Sequence, residues 1–258
     1  MTAPQTIEYQ VLHVALVTRF KAASDAPTAE WFTRYLKGVI QYRGLKTTQL
    51  KGILKAVFDA TGADGLPSQE QLGHMRYWLR QPMAEDKLTA ILWLKHWLRK
   101  ESRNGTGIAS VIMALEMLED VFRAGDIYDW STNDWLCVRV LETIPIQYPS
   151  LVGRLMDWVD ALSIWQRRSA LLAFKKSAKQ GQHHRVVEAL IERLLPTDER
   201  FIQTAIGWVL SDASRKHAVW SGGLFERHFD LLCHEVIVRH TKYLEEHQAL
   251  KEKSSARR

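Results

Sequence analysis

Apolar residues recur at three- and four-residue intervals along almost the whole chain. That spacing places them on one face of an α-helix. No run alternates polar and apolar positions convincingly enough to suggest a strand. The periodicity predicts helices over 5–23, 28–43, 47–60, 68–80, 84–101, 107–124, 131–146, 151–160, 163–178, 182–194, 198–213, 220–230 and 233–251. Punctuation supports several limits. Gly62, Gly65 and Pro67 separate two helices, and Ser68-x-x-Gln71 after them has the form of a capping box. Ser163-x-x-Gln166 repeats that form, while Pro196-Thr197-Asp198 stops one helix and starts another. The segment LTAILWLKHWL (88–98) is apolar nearly all round, as a helix enclosed by neighbours must be.

Helices joined by connections this short pack as antiparallel neighbours. The thirteen predicted helices make about six pairs of roughly 40 residues, the period of HEAT and armadillo arrays. No repeat is visible in the residues themselves, so helix spacing alone carries this reading. The expected fold is all-α, a superhelical solenoid of about six HEAT-like antiparallel helix pairs, with a bundle of similar helices as the alternative. One continuous domain is expected over 1–250, followed by a frayed basic tail, KEKSSARR, over 251–258.

Composition narrows the partners. Lysine and arginine exceed the acidic residues by 6 in 258 positions, a tilt that favours a polyanion such as nucleic acid without requiring one. Cys137 and Cys233 show no CxxC spacing and read as reduced, packed thiols. The first residues lack a basic stretch followed by an apolar one, and no apolar run reaches the roughly 18 residues of a membrane span. These features point to a soluble cytoplasmic protein that does not enter a membrane.

Two constellations carry candidate chemistry. In the predicted helix 163–178, Ala170, Leu171, Ala173, Phe174 and Ala178 share one arc, and Arg168, Lys175 and Lys179 line the opposite side. A basic stripe on an exposed helix face suits a phosphate backbone, and a merely solvated surface would look the same. In DWSTNDW, Trp130 and Asp134 stand four apart, so both leave one face if the segment is helical. An aromatic plate beside a carboxylate suits a cationic substrate. The competing reading is a helix start, with Asp129 or Ser131 as the cap and the tryptophan in the core. Metal chemistry finds no support. His234-Glu235 is followed by His240 six positions after the first histidine, where a zinc-protease helix needs four, and His183-His184 are adjacent. Neither a Gly-rich phosphate loop nor a nucleophilic serine elbow is present, and most of the ten tryptophans read as packing between helices.

Separated segments together resemble the AlkD-like DNA alkylation repair family. They are TRYLKGVIQYRGLKTTQLKGILK (33–55), WLRQPMAEDKLTAILWL (78–94), Trp130-Ser-Thr-Asn-Asp134, WQRRSALL (165–172) and FIQTAIGWVL (201–210). The likeness covers about residues 25–240. The resemblance implies a C-shaped stack of HEAT-like helix pairs with a basic concave surface for double-stranded DNA. It implies metal-free, cofactor-free excision of N3- and N7-alkylated purines. It assigns the family's functional tyrosine to Tyr35, its tryptophan–aspartate pair to Trp130 and Asp134, its arginine to Arg168 and its second site tryptophan to Trp208. Departures from the family pattern are Ser131 and Asn133 within the W-x-x-x-D stretch, Thr204 for a frequent lysine, and Ser211-Asp212 for Arg-Glu.

From these assignments the expected protein is a monomeric DNA glycosylase acting in base excision repair. Asp134, Trp130 and Arg168 would do the chemistry, while Tyr35, Trp208, Lys175 and Lys179 would hold the DNA. The alternatives are a non-catalytic HEAT-like binder of damaged or branched DNA, and a HEAT-type protein–protein scaffold.

Overall fold

The computed structural model describes residues 7–103 and 107–257, and among them the protein is all-α, with one isolated parallel bridge between Gln41 and Met83. Two compact units form, the first ending at Val140 and the second beginning at Leu141.

The first unit holds α1 (Tyr9–Ala23), α2 (Ala26–Tyr35), α3 (Thr47–Thr61), α4 (Ser68–Leu79), α5 (Ala84–Arg103), α6 (Gly107–Arg123) and α7 (Trp130–Arg139). Helices α3, α5 and α7 pack in one row, α1, α4 and α6 in another, and α4 against α5 joins the rows. Periodicity explains the packing. α1 buries Leu12, Leu16 and Phe20, one residue per turn. α5 buries every residue from Ala84 to Leu94, together with Trp97, because it is enclosed on all sides as its composition predicts. Trp78, Trp93 and Trp97 are wholly buried, and a large side chain of this kind contributes roughly 2–3 kcal/mol on burial.

Two local expectations fail here. The helix predicted over 28–43 ends at Tyr35, because Lys37 (φ 53°) and Gly38 (φ 72°) turn left-handed and the chain then runs on irregularly to α3. Ser68 is not a cap. Pro67 holds the cap position, the Ser68 hydroxyl donates to Glu101, and Gln71 bonds back to the carbonyls of Asp64 and Leu66.

The second unit holds α8 (Ile144–Gln147), α9 (Val152–Asp157), α10 (Ile164–Leu172), α11 (Lys175–Lys179), α12 (His184–Leu194), α13 (Arg200–Ser214), α14 (Ala218–Arg227), α15 (His234–His240) and α16 (His247–Ala256). α13 is its centre and touches α10, α11, α14 and α15. Ser163 does cap α10, its hydroxyl accepting from the Gln166 amide. The segment expected to fray is helical in α16 through Ala256. Leu250 and Ser254 are buried, and Arg257 donates to the carbonyls of Phe229 and Leu232.

Candidate nucleic-acid and base-excision site

Sequence-predicted site residues fall in both units: Tyr35, Trp130 and Asp134 in the first, Arg168, Lys175, Lys179 and Trp208 in the second.

In the first unit the positioning begins with a buried carboxylate. Glu85, at the start of α5, is fully buried and accepts from the amides of Arg43 (2.9 Å), Gly44 (2.9 Å) and Leu45 (3.2 Å). Beside it Asp86 takes His13 Nε2 and Arg43 Nη2, each at 2.9 Å. The loop thus fixed also holds α2, since the Asp25 amide donates to the Arg43 carbonyl. Gly44 (φ 91°) lies so close that a Cβ there would stand 2.0 Å from the Asp25 carbonyl oxygen. Only glycine fits. This accounts for the final glycine of TRYLKGVIQYRG, Gly44, and the acidic pair ahead of the apolar run in the second matching segment.

α2 in turn carries the aromatic residues. Tyr35 is 57% exposed, stacks on Trp31 at 5.1 Å and 9°, and meets the Trp130 ring edge-on at 5.6 Å and 71°. Phe32 stacks on Tyr42 at 4.4 Å. Trp130 opens α7 and is half-buried. Asp134 follows on the same helix and is also half-buried. Asp129 caps α7, its Oδ1 accepting from the amides of Ser131 and Thr132 at 2.9 Å each. The helix start with Asp129 as its cap is therefore present, and Trp130 and Asp134 lie within the same helix without either being wholly buried. Ser131, a departure from the family pattern, donates to Asp129 at 2.7 Å and shares a 3.4 Å hydrogen bond with the Tyr42 hydroxyl. Burial pushes that hydroxyl up to about 12, so it stays protonated. Lys87 secures the chain ahead of α7, donating to the Leu79 carbonyl at 2.5 Å and the Asp126 carbonyl at 2.6 Å. Burial lowers its pKa against the pull of Asp126, Asp129 and Asp86.

The second unit corrects the exposed basic stripe. Arg168 is 4% exposed and Lys175 is 9% exposed. α10 ends at Leu172, and the bend through Ala173 and Phe174 breaks the register that would have aligned them. Arg168 donates to the Phe201 carbonyl and to Thr204 Oγ1 (3.2 Å), so the threonine that departs from the family's lysine is its partner. Lys175 pairs with Asp212 (3.0 Å) and Glu142 (3.7 Å), and its ammonium lies 5.0 Å from the centre of the Trp208 ring. Asp212, another departure, thus faces a cation of its own unit. Lys179 ends α11 and is half-buried. Lys175 and Trp208 are brought together, and Arg168 packs on the same helix, α13.

Sequence reasoning missed two features. Trp31 is one; its spacing of four from Tyr35 was the signal. The other is a groove of about 460 Å³ in the first unit, whose lining includes Lys51 and Lys55 from α3, Lys95 and Arg99 from α5, and Arg139 from α7. The two i, i+4 pairs of cations are readable in the sequence, but their convergence depends on α3 and α5 being neighbours. Two acids, Asp59 (paired with Lys55 at 2.6 Å) and Asp64, also line it, which leaves the groove five cations to two carboxylates.

The histidine–glutamate sequence forms no ligand set. His234 bonds Ser254, Glu235 takes Arg200 and Arg239, and His240 is half-buried. Among the described residues no group of His, Cys, Asp and Glu could hold a metal ion, and no helix is long and apolar enough to cross a membrane.

The sequence matches the family described as DNA alkylation repair enzyme over residues 16–245. The fold is similar to a solved structure described as a predicted DNA alkylation repair enzyme from Enterococcus faecalis, with a TM-score of 0.71 and 17% identity, over 86% of this chain and 97% of that one. No curated protein is a significant sequence match. With nearly the whole chain inside the family match, and the residues that carry it fixing the aromatic corner and the second unit's core, the protein belongs to the DNA alkylation repair enzyme family.

Proposed function

We propose that the protein is a DNA glycosylase that hydrolyses the N-glycosidic bond of cationic N3- and N7-alkylated purines in duplex DNA. The observation that carries this reading is the Tyr35–Trp130 aromatic corner at the start of α7, with Asp134 one turn along the same helix. Alkylation at N3 or N7 gives the purine a positive charge and makes it a good leaving group without strong acid catalysis. The transition state is oxocarbenium-like. Aromatic faces attract the cationic nucleotide, and a carboxylate stabilises the sugar cation as it forms. At a separation of about 4 Å and an effective dielectric of about 20, one carboxylate supplies about 4 kcal/mol. That corresponds to about a thousandfold in rate. Such help suffices for a labile cationic nucleoside and not for a neutral one.

In this reading Asp134 stabilises the cation, and Trp130 and Tyr35 hold the nucleotide. Trp208 offers the second unit's aromatic face, with Lys175 already seated on it. Arg168, Lys175 and Lys179 are proposed for the DNA backbone. The burial of the first two makes Arg168 foremost a brace of α10 on α13. The groove of Lys51, Lys55, Lys95, Arg99 and Arg139 supports the polyanionic partner better than those three do. A HEAT-like array, acting as a monomer without a cofactor, is the proposed scaffold. The paired helix rows of the first unit are consistent with it.

The test is chromatography of free bases released from methylated duplex DNA. Wild type should release 7-methylguanine and leave uracil in place. Asp134→Asn should lower release by about a thousandfold while changing DNA affinity little, because the loss lies in the transition state. Undiminished release by this variant would remove Asp134 from the chemistry, and release of uracil would contradict a mechanism that depends on substrate charge.

A further inference from the structure

Helix α2 is unusual in the first unit because it buries none of its ten residues fully. Its apolar side is only partly covered: Phe32 is half-buried against Tyr42, while Trp31 and Tyr35 are exposed. Trp31 is 52% exposed and lies almost parallel to Tyr35, with Phe32 edge-on to it at 5.0 Å. The exposed aromatic surface therefore does not stop at the Tyr35–Trp130 corner. It continues one turn back along α2 to Trp31. Exposed cations accompany the rings at the C-terminal end of the helix, Arg34 within it and Lys37 just beyond, while the exposed acids Asp25 and Glu30 lie at its start and middle. Lys37 is held in a left-handed turn at φ 53°, a conformation that non-glycine residues adopt only where the surroundings enforce it.

We infer that Trp31 is a DNA-contacting residue that extends the Tyr35–Trp130 site by one nucleotide, its ring packing on the sugar or base next to the lesion while Arg34 and Lys37 meet the phosphates. Stacked, solvent-exposed rings lined by cations are how proteins hold nucleotides without reading their sequence. The occupant follows from charge. A second copy of this protein, itself cationic overall, would bring like charge to Arg34 and Lys37, whereas a phosphodiester strand supplies the opposite sign every nucleotide. Stacking on Tyr35 also orders the Trp31 ring before DNA arrives, which lowers the entropy lost on contact. The inference rests on the reading of Tyr35 and Trp130 as facing DNA, but it does not require turnover.

The experiment uses the full chain and a duplex carrying 5-iododeoxyuridine beside a 7-methylguanine. Irradiation should cross-link the strand to Trp31, identified by mass spectrometry of the peptides. Trp31→Ala should weaken binding of the methylated duplex by about tenfold, the scale of losing one stacked base. It should raise KM by a similar factor and leave kcat within about threefold, since the reacting atoms are not touched. Trp31→Phe, which keeps a ring against Tyr35, should restore most of the affinity. Both variants should unfold at close to the wild-type temperature because the residue is half exposed.

Unchanged affinity and KM in Trp31→Ala would overturn the assignment, as would a map of cross-links that omits α2. A protein that dimerises through α2 in the presence of DNA, judged by sedimentation, would overturn it too. If wild type releases no base yet Trp31 cross-links and Trp31→Ala weakens binding, the glycosylase reading falls and this one stands. If wild type releases base and Trp31→Ala matches it throughout, only this one falls.

Discussion

Gly207 stands in the middle of α13, where glycine costs helix stability and gains nothing from its freedom. Its value is in what lies above it. A Cβ at this position would stand 2.5 Å from His240 Cδ2 and 2.9 Å from Val236 Cγ1, so α15 rests directly on the bare backbone of α13. The glycine of the matching segment FIQTAIGWVL is therefore explained by contact rather than by a turn. Gly207→Ala should destabilise the second unit by roughly 1–3 kcal/mol, the usual cost of overfilling a packed contact. Urea titration of the full chain would measure it. A variant as stable as wild type would show that α15 yields at no cost. Trp208, next in sequence, has a separate task, its ring receiving the Lys175 ammonium.

At the scale of elements, α2 and α7 are brought to the same corner by α5. Three backbone amides of the 43–45 loop converge on Glu85, a carboxylate with no exposure of its own. Glu85→Ala leaves those donors without a partner, at a cost of roughly 1–3 kcal/mol for each buried group that finds no replacement. The expected result is loss of several kcal/mol of stability and, in any folded remainder, loss of the Tyr35–Trp130 contact. Glu85→Gln, which keeps one acceptor oxygen, should fall between. Circular dichroism melting combined with the base-release assay separates the two effects. Wild-type stability in Glu85→Ala would mean the loop does not depend on the clamp.

These elements also show what the sequence makes legible. α3 to α6 are readable because their apolar spacing is regular and their ends are marked by Gly62, Pro67 and Pro82. The overrun of α2 arises because Leu36 and Ile40 continue the helical spacing while the chain has already turned left-handed at Lys37. The break at Ala173–Phe174 is equally silent, since both residues are core in either conformation. That Trp130 and Asp134 share helix α7 was readable from a spacing of four, and the resemblance supplied Tyr35. The neutralisation of Lys175 was not readable, because Glu142 and Asp212 come to it from remote positions.

Across the whole molecule, each unit holds a histidine kept neutral by its surroundings, His74 wholly buried in the first and His240 half-buried in the second. Burial keeps His74 down at about 4, against an ordinary 6.5, where it lies between Tyr9 and Trp93. In the second unit burial, helped by Arg239, holds His240 at about 4 as well. Between those values the unfolded chain binds a proton at each site that the folded chain refuses, so stability rises with pH. The contribution is complete above about 6.5, is lost progressively as pH falls towards about 4, and changes no further below that. Glu235, drawn down to about 2 mainly by its bond with Arg200, adds a separate loss that begins only near pH 4.5. Unfolding free energy measured from pH 7.5 to 5 should therefore drop before the carboxylates titrate, and His74→Phe should flatten the slope. A flat profile over that interval would contradict the depressed histidine pKa values.

The Glu85 clamp also sets an order of events during synthesis. The loop amides it receives lie 40 to 42 positions earlier in the chain, so α2 leaves the ribosome well before the group that fixes the loop holding its start. Until α5 emerges, Trp31, Phe32 and Tyr35 belong to a ten-residue segment without its anchor, too short to persist as a helix alone in water. Trp130 arrives later still. The aromatic corner is thus assembled from its later partners backwards, and on a nascent chain it is an exposed aromatic segment before it is a site.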